Sequence, residues 1–200
     1  MRENGLYGKP RKKRRTTTNS EHSGLICPNV LGQQFTVTEP NKVWVSDLTY
    51  IPTNDGWLYL CIVLDLFSRR IVGWSTQDSL ATTLTVKALK MATGRRRPGK
   101  GLIFHSDRGT QYANSVFQHH LKRRGCNQSM SRSGNCYDNA VAESFFASLK
   151  IEEVNDNKYR THEEAKNAIF EYIEAFYNRT RRHSFNGNMS PEDFEKSSVP

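Results

Sequence analysis

The order in which strand-like and helix-like segments follow one another constrains this chain more than any other feature. Val43 to Ile51 is dense in β-branched and aromatic residues and reads as a strand. Asn54-Asp55-Gly56 carries the chemistry of a hairpin turn, and Trp57 to Leu64 reads as a second strand after it. Arg70 to Thr76 reads as a third, after the polar break at Ser68-Arg69. Short connections make these three the antiparallel start of a sheet. Helical spacing then enters. Ala81 to Ala92 repeats its apolar positions at Leu84, Ala88, Leu89 and Ala92. Gly101 to His105 is a short apolar run that fits a buried strand parallel to the first. Asn114 to Lys122 reads as a helix, Asn127 to Met130 as a fifth strand, and Asp138 to Lys150 as a helix with Asp138 as its N-cap. Thr161 to Tyr177 is a long amphipathic helix opened by a capping box of Thr161 and Glu164.

Three strands followed by alternating helices and strands imply an α/β domain, a mixed five-stranded sheet flanked by helices. That order is the ribonuclease-H-like arrangement. It puts Asp47 in the middle of the first strand and Asp107 just after the fourth. If those strands pair in parallel, both carboxylates sit close together near one cleft. Glu143 lies on the helix that starts at Asp138. There it shares a stripe with Phe146 and Lys150, beside a mostly apolar stripe of Ala142, Phe145 and Leu149. Glu143 can therefore project toward the cleft while its neighbours pack on the sheet.

The formal net charge of +9 favours an acidic partner, most plausibly nucleic acid. Three carboxylates in so basic a chain suggest a metal site that works on a polyanion. Hard oxygen donors favour Mg²⁺ or Mn²⁺ over zinc. Two such ions, about 3.5–4 Å apart, allow in-line displacement at phosphorus without a covalent protein intermediate. Lys150, two turns after Glu143, is a candidate for DNA phosphate, and Arg108 is a candidate either for the same role or for a pair with a carboxylate. Asp65 also sits at a strand end, where the expected role is a turn cap or a pair with Arg69 or Arg70 in preference to a fourth metal ligand. His119, His120, Cys126 and Cys136 match no zinc spacing. The four cysteines form no CxxC pair, which suits a reducing cytoplasm. No apolar run is long enough to span a bilayer.

Residues 1–40 look irregular and read as a basic linker or arm. The run Lys9-Pro10-Arg11-Lys12-Lys13-Arg14-Arg15 fits sequence-independent contact with phosphates, through Lys12, Lys13, Arg14 and Arg15 among others. Arg179, Arg181 and Arg182 after the last helix fit either a DNA-backbone contact or a solvated helix end that complements the helix dipole.

Several strings occur in an order that resembles the catalytic core of DDE transposases and retroviral-type integrases. They are Trp44-x-x-Asp47-x-Thr49-Tyr50, Asp65-x-Phe67-Ser68-Arg69-x-Ile71-Val72-Gly73-Trp74 and His105-Ser106-Asp107-Arg108-Gly109. Asp138-Asn139-Ala140-x-Ala142-Glu143-Ser144-Phe145-Phe146-x-x-Leu149-Lys150 comes next, then Tyr177-Asn178, Arg182-His183-Ser184, Ser190-Pro191 and Phe194. The pattern is most similar to the second-frame (OrfB) transposases of the insertion-sequence group often called IS-three, and it runs from about Thr16 to Phe194.

The resemblance implies that Asp47, Asp107 and Glu143 are the catalytic, metal-binding triad and that Lys150 touches the transposon end. It implies cleavage and strand transfer on DNA during transposition, by an oligomer acting on transposon ends and target DNA. It also implies a place at the bacterial nucleoid, with no membrane partner. Residues 41–195 would be the integrase catalytic core. Residues 1–40 would be the linker that comes after the helix-turn-helix region of such proteins. A truncated, catalytically silent DNA-binding remnant and a ribonuclease-H-like nuclease are the alternative readings.

Overall fold

β1 (Val43–Thr53) is the centre on which the domain is assembled. The computed structural model describes residues 24–133 and 136–198. β2 (Gly56–Asp65) returns antiparallel along β1, and β3 (Ile71–Gln77) pairs antiparallel with β2. The two-residue turn at Asn54-Asp55 closes the first hairpin, with Thr53 opposite Gly56. Gly56 has φ of +106°, open to glycine and strained for other residues. After α1 (Thr82–Arg96), β4 (Ile103–Ser106) joins the other side of β1 in parallel. α2 (Ser115–Arg123) leads to β5 (Asn127–Met130), parallel to β4. The sheet order is therefore β3-β2-β1-β4-β5, the mixed five-stranded sheet expected from the element order.

Strand alternation divides the core in two. Val43, Val45 and Ile51 face α3 (Ala140–Leu149) and α4 (His162–Phe170), packing with Ala142, Phe145, Leu149, Ala165 and Ile169. Trp44 and Leu48 face the other way, with Leu84, Ala88 and Leu89 of α1 and Phe117 and Leu121 of α2. Gly73 lets α1 lie directly on β3. A Cβ built there would come within 2.6 Å of the Ala92 backbone nitrogen, so only glycine permits the approach.

Sequence periodicity misplaces several helix ends. A 3-10 turn, Cys136–Asn139, precedes α3, and Asn139 rather than Asp138 holds its N-cap position. Asp138 is instead buried and clasped from outside the helix. Beyond Leu149 the chain continues helically to Val154 through a wider turn in which Asn155 N–H bonds the Lys150 carbonyl at 2.8 Å. A similar widening carries α4 on to Tyr177, the end expected from the sequence, with Asn178 N–H donating to the Ile173 carbonyl at 3.1 Å. The Thr161 hydroxyl accepts from Glu164 N–H, and Asp55 Oδ2 accepts from His162 N–H, so the hairpin turn also caps α4.

α5 (Pro191–Ser198) has no counterpart in the sequence expectations. It is tied back by Glu195, which accepts from Ser68 Oγ at 2.7 Å and Arg70 Nη1 at 2.9 Å and pairs with Arg96. Residues 24–42 carry no regular element, yet they are not detached from the domain. Leu31 is buried, and the Val30 and Leu31 amides donate to Ser129 Oγ at 2.9 and 3.2 Å. The Lys9–Arg15 run lies outside the described residues.

Candidate active site

Asp47 occupies an odd position of β1, as do Val43, Val45 and Ile51, so its side chain belongs to the α3 face of the sheet. β4 pairs with β1 in the register Val43 to Ile103, Trp44 to Phe104 and Val45 to His105. Continued past the end of β4, that register would put Asp107 level with Asp47, which stands two residues beyond Val45. Asp107 Oδ1 accepts from Gly109 N–H at 2.9 Å, which bends the chain away just after β4. Asp47 Oδ1 accepts from Leu48 N–H at 2.8 Å. Both acids are half-buried.

A buried polar cluster lies under the pair on the opposite face. Ser46 Oγ donates to the Ile62 carbonyl at 2.7 Å and meets the Tyr112 hydroxyl at 2.8 Å. With the serine proton spent on Ile62, the tyrosine is the donor. Tyr112 thereby fastens the segment that follows Asp107 to the residue that precedes Asp47. Burial pushes the Cys61 thiol up to about 12, and the charges of Asp47 and Asp107 add to the rise. Tyr112 is raised by burial and by the Cys61, Asp107 and Asp47 charges. Both acids thus bear electrostatically on the same two buried groups.

Glu143 is delivered by α3. Asn139 Nδ2 donates to the Ser46 carbonyl at 3.4 Å, and Lys150 Nζ lies 4.8 Å from the centre of the Tyr50 ring. α3 therefore runs beside β1 in the same direction, from the level of Ser46 to that of Tyr50. Glu143 stands one turn past Asn139, about 6 Å along the axis. That brings it to the level of Asp47 and Leu48, on the face to which Asp47 belongs. It is half-buried, whereas Ala142, Phe145, Phe146 and Leu149 are buried in the core.

Asp138 holds the approach to α3. Its carboxylate accepts from Arg132 N–H at 2.7 Å, Arg132 Nη2 at 3.0 Å, Asn29 Nδ2 at 2.9 Å and Gln33 Nε2 at 2.8 Å. The Arg132 hydrogen bond holds its pKa well below the usual carboxylate range. His105 is buried between Ser129 Oγ and Ser131 Oγ, and burial lowers its pKa to about 4. A neutral histidine with both ring nitrogens engaged is a structural group.

The structure thus puts Asp47 on β1 two residues past the last β1–β4 pair, Asp107 just after β4, and Glu143 on α3, the helix that packs on the same face of the sheet. Among the described residues, no group of three or more His, Cys, Asp or Glu side chains stands ready-made to hold a metal ion. Like charges at short range disfavour one another's ionised form, so such a cluster is costly without a cation between its members.

Asp65 lies opposite Trp44, at the end of the β1–β2 pairing away from the hairpin turn and three residue pairs from Asp47. It caps its turn through Phe67 N–H at 3.1 Å and also accepts from Asn41 N–H at 2.8 Å. Its ion-pair partner is Arg96 at 3.3 Å, in place of the expected Arg69 or Arg70. Arg96 is distant in sequence and reaches Asp65 only through the packing of α1 on the sheet.

The cationic residues differ in their engagements. Arg108 Nε donates to the Ser131 carbonyl at 2.7 Å. Arg181 is held by Glu152 at 2.6 Å and also donates to Ser148 Oγ at 3.2 Å. Arg182 is exposed. Lys12, Lys13, Arg14 and Arg15 lie outside the described residues.

Tyr112 and Asn139 support the site although sequence motifs alone assign them no role. A tyrosine five residues past Asp107 and an asparagine one turn before Glu143 are the signals that mark them.

The sheet order and its helices define a ribonuclease-H-like fold of the kind found in retroviral integrase cores. The structure resembles a chain of the simian T-cell lymphotropic virus intasome solved with PP2A regulatory subunit B56 gamma, with a TM-score of 0.67 and 16% identity. That match covers 92% of this chain and 62% of the other. It also resembles the HTLV-2 integrase catalytic core domain in complex with magnesium, with a TM-score of 0.59 and 15% identity, over 78% of this chain and 97% of that one.

A sequence model described as "Integrase core domain" matches residues 37–136, and a second of the same description matches residues 143–199. The transposase for insertion sequence element IS904 of Lactococcus lactis is 46% identical over 96% of this chain and 76% of its own length. Transposase InsF for insertion sequence IS3A of Escherichia coli is 42% identical over 100% of this chain and 69% of its own. The chain belongs to the insertion-sequence transposases with an integrase core domain.

Proposed function

We propose that this transposase cuts and joins DNA strands at a site formed by Asp47, Asp107 and Glu143, which together hold two divalent cations, Mg²⁺ or Mn²⁺. One observation supports the reading: β1 and β4 pair in parallel up to Val45 and His105, and Asp47 and Asp107 each follow two residues later, on the side of the sheet that α3 covers. The donor set fits the ions. All three are hard carboxylate oxygen donors on half-buried residues. The HTLV-2 integrase core, a neighbour in fold, is in complex with magnesium.

Bound there, the cations would activate the attacking oxygen and stabilise the leaving one. The protein's part is to hold the three acids in place. β1 and the Ser46–Tyr112 bond fix two of them, and the packing of Phe145, Phe146 and Leu149 fixes the helix that carries the third. Lys150 and Arg108 lie close by to meet DNA phosphate, and Arg182 is an exposed cation of the C-terminal segment. Arg181 would act through its pairing with Glu152. Cys61 is buried with its thiol pushed up to about 12, which suits a mechanism without a cysteine nucleophile.

In this reading residues 41–195 are the catalytic core. Residues 1–40 lead into it: the basic run with Lys12, Lys13, Arg14 and Arg15 would neutralise phosphates of the DNA backbone, while Leu31 and its neighbours hold the later part of the segment to the core. The working form is a homo-oligomer on transposon ends and target DNA. The fold neighbour in a viral intasome, and the trimeric and dimeric forms of the HTLV-2 core, support an assembly of this kind.

The test is a strand-transfer reaction with Mn²⁺, labelled element ends and an unlabelled target. Labelled products joined to the target support a transferase. Cleaved ends without joining favour a nuclease. If Asp107→Asn and Glu143→Gln leave cleavage unchanged, the site assignment is wrong.

A further inference from the structure

α3 has a second functional flank. At about 100° per residue, Ser144 and Ser148 share a stripe on the side of the helix away from Glu143. That stripe forms one wall of a cleft of about 600 Å³ whose other walls include Arg69, Arg182, His183 and Phe185.

Arg69 is the unusual member. It is only 9% exposed, and its backbone φ of 62° lies in the left-handed region that residues with a Cβ avoid. Its guanidinium is stacked 3.7 Å over the Phe185 ring, and Nη2 donates to the Phe35 carbonyl at 3.1 Å. Nη1 is buried and, among the described residues, has no hydrogen-bond partner. His183 Nε2, in the same cleft, is in the same condition. A buried guanidinium donor left unmade is costly, and an anion in the cleft would complete it. Burial lowers the Arg69 pKa to about 10, so the group is still a cation at neutral pH. Arg182 adds a second positive charge at the exposed rim, where among the described residues it forms no ion pair.

We propose that this cleft takes a backbone phosphate of the DNA on which the transposase acts, with Arg69 as its buried anchor and Arg182 at its mouth. The proposal rests on the DNA-strand reading above and adds a positioning site to it. A helix with its side chains is about 10–12 Å across, so the cleft lies about three nucleotides' rise from the Glu143 side. A strand crossing the exposed ridge of α3 would be held at one flank and cut at the other.

Fluorescence anisotropy of a labelled DNA duplex with the full chain, over a salt series, tests it. Arg69→Gln and Ser144→Asp, which sets a carboxylate in the cleft, should each weaken binding. Each should also reduce the slope of log affinity against log salt by about one, as loss of one phosphate contact does. Lys166→Gln removes an exposed charge elsewhere, on α4, and should leave the slope unchanged. If Arg69→Gln fails to fold, Ser144→Asp decides alone. Wild-type slopes in the cleft variants, or an equal fall in Lys166→Gln, overturn the phosphate site and leave the triad reading standing. A wild-type chain that binds no duplex overturns both. Strand joining, read alongside, separates the two readings: Asp107→Asn should abolish it even at saturating DNA, whereas Arg69→Gln should regain it there.

Discussion

Val45 pairs with His105 across the parallel strands β1 and β4, and that pairing sets the geometry of the candidate site. Two residues further along each segment come Asp47, still on β1, and Asp107, just past the end of β4. A slip of one residue would turn one acid to the opposite face of the sheet. The register is defended from both sides. Trp44 and Phe104, one residue earlier, pack into the α1–α2 core, while Val43 and Val45 pack toward α3.

Tyr112→Phe should separate positioning from stability. The hydroxyl's loss leaves Ser46 without one partner and should cost about 1 kcal/mol in urea unfolding. Strand joining should fall further, by about 10-fold, because the segment after Asp107 is no longer fastened to β1. Equal, small losses in both would show that the bond serves the fold alone.

Gly73→Ala tests the seating of α1 on β3. The added methyl meets the Ala88 carbonyl and the Ala92 backbone nitrogen, which are main-chain atoms and cannot swing aside. Urea unfolding should register a loss of about 1–3 kcal/mol or more. A neutral substitution would mean that the helix can shift away without penalty.

The Asp138 clasp gives a pH dependence with a definite sign. Its folded-state pKa is depressed by Arg132, so it contributes stability that is fully present above its unfolded value of about 3.9. That contribution is lost as pH falls through the lower folded value. Asp138→Asn should destabilise the chain by about 2 kcal/mol at neutral pH, the scale of hydrogen bonds to a charged group. The gap between wild type and variant in urea unfolding should narrow as pH drops below about 4. A gap that stays constant down to strong acid would show that charge at Asp138 is not what matters.

Features carried by local sequence were legible. The Asn54-Asp55-Gly56 turn, the β5 segment Asn127–Met130 and the Thr161 cap each follow from adjacent residues. Asp47 and Asp107 could be set together because parallel pairing of two identified strands implies it. Partnerships between distant residues were not legible. Asp65 with Arg96, Glu152 with Arg181 and Glu195 with Arg70 join segments whose meeting depends on the finished fold. α5 escaped because only eight residues, polar except for Pro191 and Phe194, give periodicity little to act on. The widened turns after Leu149 and Phe170 escaped because a sequence repeat does not distinguish an i→i+5 bond from i→i+4.

The proposed chemistry requires Asp47, Asp107 and Glu143 to share divalent cations. Titration of Mn²⁺ into the DNA-bound chain, followed by the electron paramagnetic resonance of the free ion, measures it directly. Asp47→Asn, Asp107→Asn and Glu143→Gln should each weaken Mn²⁺ binding by more than about 10-fold, since even residues that only support metal ligands cost 10–100-fold. Any one of these variants binding Mn²⁺ with wild-type affinity and stoichiometry would contradict the shared site.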